Sequence, residues 1–169
     1  MVESLVAKIM RLFPEEDGMN VRSANYLLLQ AIARCPHCTQ PTSVFCLGVT
    51  AGYESRMEEQ WFSADAAALL FYVESLSNEA GILVRELAPQ FRVDYSMSVD
   101  RNYWVNHCQH CETTQEDHDL HCEPDAAFLP TSPHAAEQIL TVAVQAPLLA
   151  RAGGISDQRS FLSLTRFVA

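Results

Sequence analysis

Two pairs of cysteines, each pair with two intervening residues, constrain this chain more than any other feature. The sequence CPHC supplies Cys35 and Cys38, and CQHC supplies Cys108 and Cys111. A two-residue spacer lets one tight turn direct both sulfurs at a single ion, and two such turns complete a tetrahedral four-thiolate zinc site. A closed site of this kind stabilises a fold and leaves no position for a substrate. We therefore predict one structural zinc ion bound by these four cysteines.

The spacing between the two pairs is long for a zinc ribbon. Sixty-nine residues separate Cys38 from Cys108, whereas compact sites have about 15–20 residues there. The intervening chain must then form an insertion between the two cysteine turns. Its continuous apolar run at residues 67–75 predicts a buried strand, and the capped, amphipathic segment that follows predicts a helix ending before Pro89.

Periodicity along the whole chain predicts a single α+β domain over residues 1–169. Its core is an antiparallel sheet that carries a zinc-ribbon-like four-cysteine site, with one packed central helix and an N-terminal helix. The predicted segments are an N-terminal helix at 1–18, a first ribbon hairpin at 26–50, a strand–helix insertion at 51–100, a second knuckle with an acidic loop at 101–128, and a C-terminal strand and tail at 129–169. The polar stretch GYESRMEEQ is predicted to be a loop, and RAGG a turn.

Negative charge is concentrated in the second half of the chain. The formal net charge is −10, from 21 acidic and 11 basic residues, which argues against direct nucleic-acid binding. Residues 102–150 contain no Lys or Arg, although they contain Glu112, Glu116, Asp117, Asp119, Glu123, Asp125 and Glu137. This face is either a solubilising surface or a site for a basic protein partner, with Tyr103, Trp104 and Phe128 nearby.

A second group of metal-ligating residue types follows the second cysteine pair. His118, His121 and Cys122 occur in HDLHC, next to Asp117 and Asp119. They are expected to form either a polar strand or a second metal or acid–base site. The second alternative would make the protein a metal-dependent enzyme.

Redox chemistry is the other alternative for the first cysteine pair. Cys-Pro-His-Cys occurs in disulfide oxidoreductases, where the pair opens a helix that lowers the pKa of the first thiol. Here Pro41 and a β-branched run follow, which does not continue a helix, and the second pair has no role in that chemistry. A thiol-disulfide oxidoreductase would have an acidic Cys35 thiol and no metal.

Several stretches together resemble a known group of proteins. The sequences CPHC, LLFYVESL, APQFRVDYS and NYWVNHCQHC…DLHCEPDAAFLP are similar to small bacterial zinc-ribbon-like proteins of unassigned function, over about residues 26–155. The resemblance implies that the four paired cysteines are metal ligands, and it implies no activity. Glu112 stands where a glycine is expected after the second knuckle, because such turns often need a positive φ.

These observations favour a non-enzymatic zinc-binding protein that acts as an acidic protein-interaction module. An inhibitor or decoy of a nucleic-acid-handling protein fits this chemistry. The first residues lack the pattern of a signal peptide, and no apolar run reaches transmembrane length. We therefore expect a cytoplasmic protein without a membrane partner, and the sequence predicts no oligomeric state.

Overall fold

The computed structural model describes residues 18–156 and 159–168 of the chain, and strands are the main secondary structure among them. The predicted N-terminal helix lies outside the described residues. The strands are β1 (Val21–Ser23), β2 (Tyr26–Arg34), β3 (Pro41–Val49), β4 (Glu54–Met57), β5 (Gln60–Ser63), β6 (Ala68–Leu76), β7 (Phe91–Ser96), β8 (Arg101–His107), β9 (Thr114–Gln115), β10 (Leu140–Val144), β11 (Leu148–Ser156) and β12 (Arg166–Val168).

The strands form two sheets of unequal size. The large sheet has the order β12-β10-β2-β3-β6-β11-β1-β4-β5, and the small sheet has the order β7-β8-β9. The large sheet is mixed, because β12 runs parallel to β10 whereas the other pairs are antiparallel.

The helices in the described part of the chain are short. They are α1 (Asn78–Leu87), α2 (Asp117–His121), α3 (Pro133–Glu137) and α4 (Arg159–Leu162). None of these helices is long and apolar enough to cross a membrane.

Both faces of the large sheet are covered, which explains why β2 and β3 are nearly continuous apolar runs. Alternate residues of a strand point to opposite faces. Leu28 and Leu47 therefore pack on one face with Trp104 of the small sheet and Val84 of α1. The intervening residues pack on the other face with residues of α2, α3 and α4 and with Phe128. The result is three layers, with the large sheet in the middle.

The predicted α+β class with one packed central helix is wrong, since far more of the described residues lie in strands than in helices and the helices are short. Helix α1 covers only part of one face, and the small sheet covers much of the rest. The segment predicted as a polar loop is the hairpin β4–β5, and RAGG lies inside β11. HDLH, which belongs to a predicted polar strand, forms helix α2. The two cysteine turns meet where the β2–β3 hairpin of the large sheet approaches the β8–β9 hairpin of the small sheet.

Candidate metal centre

The first cysteine turn connects β2 to β3 and has the backbone of a metal-binding knuckle. The N–H of Cys35 donates to the carbonyl of Gln40 at 3.0 Å, and the N–H of Thr39 donates to the carbonyl of Cys35 at 2.9 Å. Thr39 has a φ of 62°, in the left-handed region that favours glycine. This conformation reverses the chain tightly, so that β3 returns beside β2.

The second cysteine turn repeats this geometry between β8 and β9. The N–H of Cys108 donates to the carbonyl of Thr113, and the N–H of Glu112 donates to the carbonyl of Cys108, each at 2.9 Å. Glu112 has a φ of 61°, so it adopts the conformation for which a glycine is expected. Its carboxylate pairs with Arg92 at 2.7 Å. Two segments about seventy residues apart thus have the same local fold.

The two turns bring all four paired cysteines together. Their sulfur atoms all lie within 4.8 Å of one another. The Sγ atoms of Cys35 and Cys111 are 3.7 Å apart, and those of Cys38 and Cys108 are 3.6 Å apart. Four thiolates around one zinc ion, with Zn–S bonds of about 2.3 Å, have an S–S separation of about 3.8 Å. The sulfurs therefore fit a tetrahedral metal ion, and the cysteines are free thiols.

Hydrogen-bond donors within the knuckles lower the pKa of Cys35 and Cys108, whereas burial and the neighbouring sulfurs raise the pKa of Cys38. The N–H of His110 donates to Cys108 Sγ at 3.4 Å. The N–H of Cys38 donates to Cys35 Sγ and is the main cause that lowers the pKa of Cys35 to about 6. Gln115, a buried residue of β9, donates a further hydrogen bond from its Nε2 to Cys35 Sγ at 3.5 Å. These donors stabilise the negative charge that a metal ligand must carry.

A buried asparagine joins the strands that bear the two knuckles. The side chain of Asn106 accepts a hydrogen bond from the N–H of Phe45 at 2.7 Å and donates to the carbonyl of the same residue at 2.8 Å. Asn106 is fully buried. At Phe45, the Asn106 amide thus makes the two hydrogen bonds that a neighbouring strand would otherwise make to β3. These bonds hold β8 in position. Sequence reasoning missed this residue, because an isolated asparagine before a cysteine pair carries no signal of such a role.

Two further contacts link the knuckles directly. The N–H of Gln109 donates to Thr42 Oγ1 at 3.0 Å, and His110 Nε2 lies 3.0 Å from the carbonyl oxygen of Pro41. Both contacts run from the second knuckle to the first residues of β3. The four cysteines therefore lie at a junction that protein contacts also hold together.

The predicted second site has a different environment. Asp117 is buried and accepts a hydrogen bond from the N–H of Tyr72 at 2.7 Å. His121 is buried, and its ring centroid lies 5.1 Å from that of Phe128. The exposed His118 lies 3.6 Å from Asp119. Within the described residues, only the four paired cysteines form a group of potential ligands within 4.8 Å of one another. A second site at His118, His121 and Cys122 thus stays a prediction without a preassembled ligand set.

The aromatic residues near the acidic segment belong to the interior. Tyr103, Trp104 and Phe128 are each at most 2% exposed. Glu116 is also engaged within the protein, because its Oε2 accepts hydrogen bonds from Tyr103 and Ser96, both at 2.8 Å. These residues hold α2 and β8 in place and are not displayed to a partner in this structure.

Three further acidic residues border a surface groove beside the first knuckle. Asp119, Glu123 and Asp125 are exposed and line a groove of about 480 Å³. Its apolar wall includes Ile32, whose exposed fraction is 64%. A second depression of about 360 Å³ shares Ile32, Asp125 and Ala126 with it. These two neighbouring depressions, termed the acidic groove, carry three exposed carboxylates and one guanidinium, that of Arg34, which donates to the carbonyl of Thr39 at 2.7 Å.

Comparisons with known proteins give no relative for this chain. No protein-family model, curated protein or solved structure matches it. Inferences about its function therefore depend on the geometry of the cysteine centre and of the surrounding surface.

Proposed function

We propose that this chain is a non-enzymatic zinc-binding protein whose four-cysteine site is structural. The observation that carries the proposal is the convergence of four cysteine sulfurs within 4.8 Å of one another, two from each knuckle. Zinc binds four thiolates in a tetrahedral arrangement, and coordination by all four cysteines leaves no open position on the ion. When bound, the ion supplies folding energy by cross-linking the β2–β3 and β8–β9 hairpins. Cysteines that are not joined in disulfides suit a reducing compartment such as the cytoplasm.

Metal and thiol stoichiometry test this proposal. We expect one zinc per chain in elemental analysis of protein purified without a histidine tag. Of the six cysteines, only the exposed Cys122 should react rapidly with a thiol reagent before chelation. After chelation the four ligand thiols should react as well, and the buried Cys46 should react only after unfolding.

Each alternative function predicts a different count. Two metals per chain would favour an enzyme that uses His118, His121 and Cys122. No metal, with one acidic and reactive thiol at Cys35, would favour a thiol-disulfide oxidoreductase. Either result would contradict a single structural zinc site.

We further propose that the acidic groove makes this protein an interaction module for a basic partner. The groove combines the exposed carboxylates of Asp119, Glu123 and Asp125 with the apolar side chain of Ile32. A segment that carries arginine or lysine beside an apolar residue complements both features. Proteins that handle nucleic acid have such segments, and an inhibitor or decoy of one would present carboxylates in place of phosphates.

A fluorescent peptide in which arginine and leucine alternate is a suitable probe of this groove. Binding should weaken as the salt concentration rises, because exposed charges are screened. The triple variant D119N/E123Q/D125N should lose at least about tenfold in affinity, equivalent to about 1.4 kcal/mol. The control variant E58Q/E86Q/E137Q removes three exposed charges outside the groove and should bind more tightly than the triple variant. Equal losses in the two variants would indicate nonspecific attraction and contradict the proposal.

A further inference from the structure

Among the described strands, β7 has an edge with no partner. The described residues pair it with β8 alone, and it ends the small sheet. Its register pairs Phe91 with Asn106 and Val93 with Trp104. Next to the Phe91–Asn106 pair, the N–H of His107 in β8 donates to the carbonyl of Gln90, the residue before β7, at 2.8 Å.

The direction of the backbone groups follows from this hydrogen bond. In an antiparallel pair, bonded and non-bonded residue pairs alternate. Because Gln90 faces β8, Phe91, Val93 and Tyr95 direct their N–H and C=O groups away from β8. Consistent with this, the N–H of Tyr95 is capped by the Asp94 carboxylate at 2.7 Å. The central residue Val93 thus directs a donor and an acceptor outward.

The side chains along this edge are unusually apolar for an exposed strand. The exposed fractions of Val93 and Tyr95 are 48% and 49%, and that of Met97, just beyond the strand, is 88%. An exposed strand edge with apolar side chains is a template for pairing with another strand. The edge of β7 is therefore suited to bind a further strand.

The sequence of β7 is complementary to itself. FRVDY, residues 91–95, has an aromatic residue two positions on either side of Val93 and opposite charges one position on either side. An antiparallel copy related by a two-fold axis at Val93 places Arg92 opposite Asp94 of the second copy, and Phe91 opposite Tyr95. In such pairs the side chains lie on the same face and about 4.5–5.5 Å apart at Cβ, which is close enough for opposite charges to attract. The ring of Phe91 is buried against Trp104, so the attraction between the copies comes from the charge pairs.

We propose that two copies of this chain pair through β7 in this register. The central pair, Val93 with Val93 of the second copy, exchanges two backbone hydrogen bonds, because both residues direct them outward. Arg92 and Asp94 are accessible to the second copy, with side-chain exposures of 39% and 52%. A second copy fits better than an unrelated strand, because the charges of Arg92 and Asp94 match under the same two-fold operation.

The groove and β7 are separate surfaces, so this proposal does not depend on the proposed function. A dimer without binding of the arginine–leucine peptide, or peptide binding by a monomer, would separate the two proposals.

Charge reversal provides a sharp test. Analytical ultracentrifugation of the zinc-loaded wild type should detect a species of twice the 18.9 kDa chain mass that grows with concentration. In a dimer of R92D, the aspartate introduced at position 92 of each copy lies opposite Asp94 of the other copy, so two repulsive pairs form. In a dimer of D94R, the arginine introduced at position 94 of each copy lies opposite Arg92 of the other, which again gives two repulsive pairs. Each variant alone should raise the dimer Kd by at least about tenfold, which corresponds to about 1.4 kcal/mol.

Mixing the two variants should restore dimers. In the mixed pair, the aspartate introduced at position 92 of one copy meets the arginine introduced at position 94 of the other. The native Asp94 of the first copy meets the native Arg92 of the second, so every opposing pair is attractive. The double variant R92D/D94R should also dimerise by itself. This complementation controls for the lost Arg92–Glu112 and Asp94–His107 contacts, since a folding defect in both variants would not be repaired by mixing.

A proline at the centre of β7 provides an independent test. V93P removes the outward N–H, and proline is tolerated on edge strands. Zinc content and circular dichroism would confirm that this variant is folded, and it should then be monomeric. A monomeric wild type at every concentration, a folded V93P that still dimerises, or charge variants that fail to complement would each overturn the proposal.

Discussion

At the scale of single residues, Asp117 and His121 have opposite effects on stability as the pH changes. Burial raises the pKa of Asp117 to about 7, and the charge of Glu116 adds to the rise. The free energy of unfolding contributed by Asp117 therefore falls as the pH increases from about 4 to about 7, because the folded state retains a proton that the unfolded state releases. Burial lowers the pKa of His121 to about 4. Its contribution rises from about pH 4 to about pH 6.5, since there the unfolded state binds the proton.

Asp117→Asn should remove the first of these two effects. The amide oxygen of asparagine can still accept the hydrogen bond from the N–H of Tyr72. The stability of the variant relative to wild type should therefore increase as the pH rises from about 4 to about 7, with a slope of up to about 1.4 kcal/mol per pH unit. Urea unfolding of the variant and of the wild type across this pH range measures the difference in stability. The pH-dependent contributions of His121 and of the cysteine centre are common to both proteins, so they cancel in this difference. Asp119→Asn, on the exposed side of the same helix, should give a flat difference. A flat difference for Asp117→Asn too would contradict the assignment.

At the scale of elements, the two knuckles show how a local conformation is imposed without a glycine. Thr39 and Glu112 occupy equivalent left-handed positions, with φ values of 62° and 61°. A side chain at such a position costs about 1–2 kcal/mol, and glycine avoids that cost but loses more backbone entropy on folding. Thr39 is exposed, so its side chain offers little packing energy in return.

Thr39→Gly should therefore stabilise the zinc-loaded protein by about 0.5–1 kcal/mol. The expected rise in the thermal midpoint is roughly 2–4 °C for each kcal/mol in a chain of this size. Thr39→Ala keeps a Cβ atom at the same φ and should gain much less. If alanine and glycine stabilised the knuckle equally, the gain would come from loss of the β-branched side chain, and the backbone argument would fail.

Asn106 is the contact between elements on which the alignment of the two knuckles depends. Asn106→Ala leaves the N–H and the carbonyl of Phe45 buried without these partners. We expect a loss of about 2–6 kcal/mol in unfolding free energy, at about 1–3 kcal/mol for each of the two groups, together with weaker zinc binding. Denaturant unfolding and competition with a chromogenic chelator measure the two effects. Asn102→Ala is a matched control on the same strand, because Asn102 is exposed, and it should change stability by less than about 0.5 kcal/mol. A similar effect for the two variants would rule out the bridging role.

At the scale of the whole molecule, the sequence predicts the cysteine centre and the neighbouring hairpins better than the architecture. The β2–β3 hairpin and the β7–β8 hairpin have local signals, namely apolar runs separated by short turns. The β4–β5 hairpin has none, because Glu58 and Glu59 occupy its turn with φ values of 45° and 68°, where glycine or asparagine is expected.

The glycines of β11 are misleading for a different reason. Gly153 and Gly154 predict a turn, yet both lie in a strand that passes very close to β6. A Cβ atom at Gly153 would lie 2.9 Å from Cβ of Tyr72, and one at Gly154 would overlap the ring of Phe71. These glycines therefore permit close packing between strands that are remote in sequence. Such nonlocal requirements, like the Asn106 bridge, have no signature in a single sequence.

The zinc ion proposed for the cysteine centre would make the stability of the whole molecule depend on metal. It joins residues that are about seventy positions apart, as the Cys38–Cys108 contact illustrates. A cross-link that closes a loop of this length lowers the entropy of the unfolded chain and stabilises the folded state by about 4 kcal/mol, by the estimate used for disulfides. A bound ion can add its own binding energy. We expect chelation to lower the free energy of unfolding by at least that amount.

Hydrogen exchange should show where the structure loosens when the metal is removed. Because the large sheet has its own apolar contacts on both faces, hydrogen exchange should increase first at the knuckles and at β8 and β9, and only later in β2 and β6. Cys111→Ser should reproduce this pattern, whereas Cys122→Ser, at an exposed position, should leave it unchanged. Equal stability with and without the metal would show that the junction between the two sheets holds without the ion, and the centre would then need a role other than a structural one.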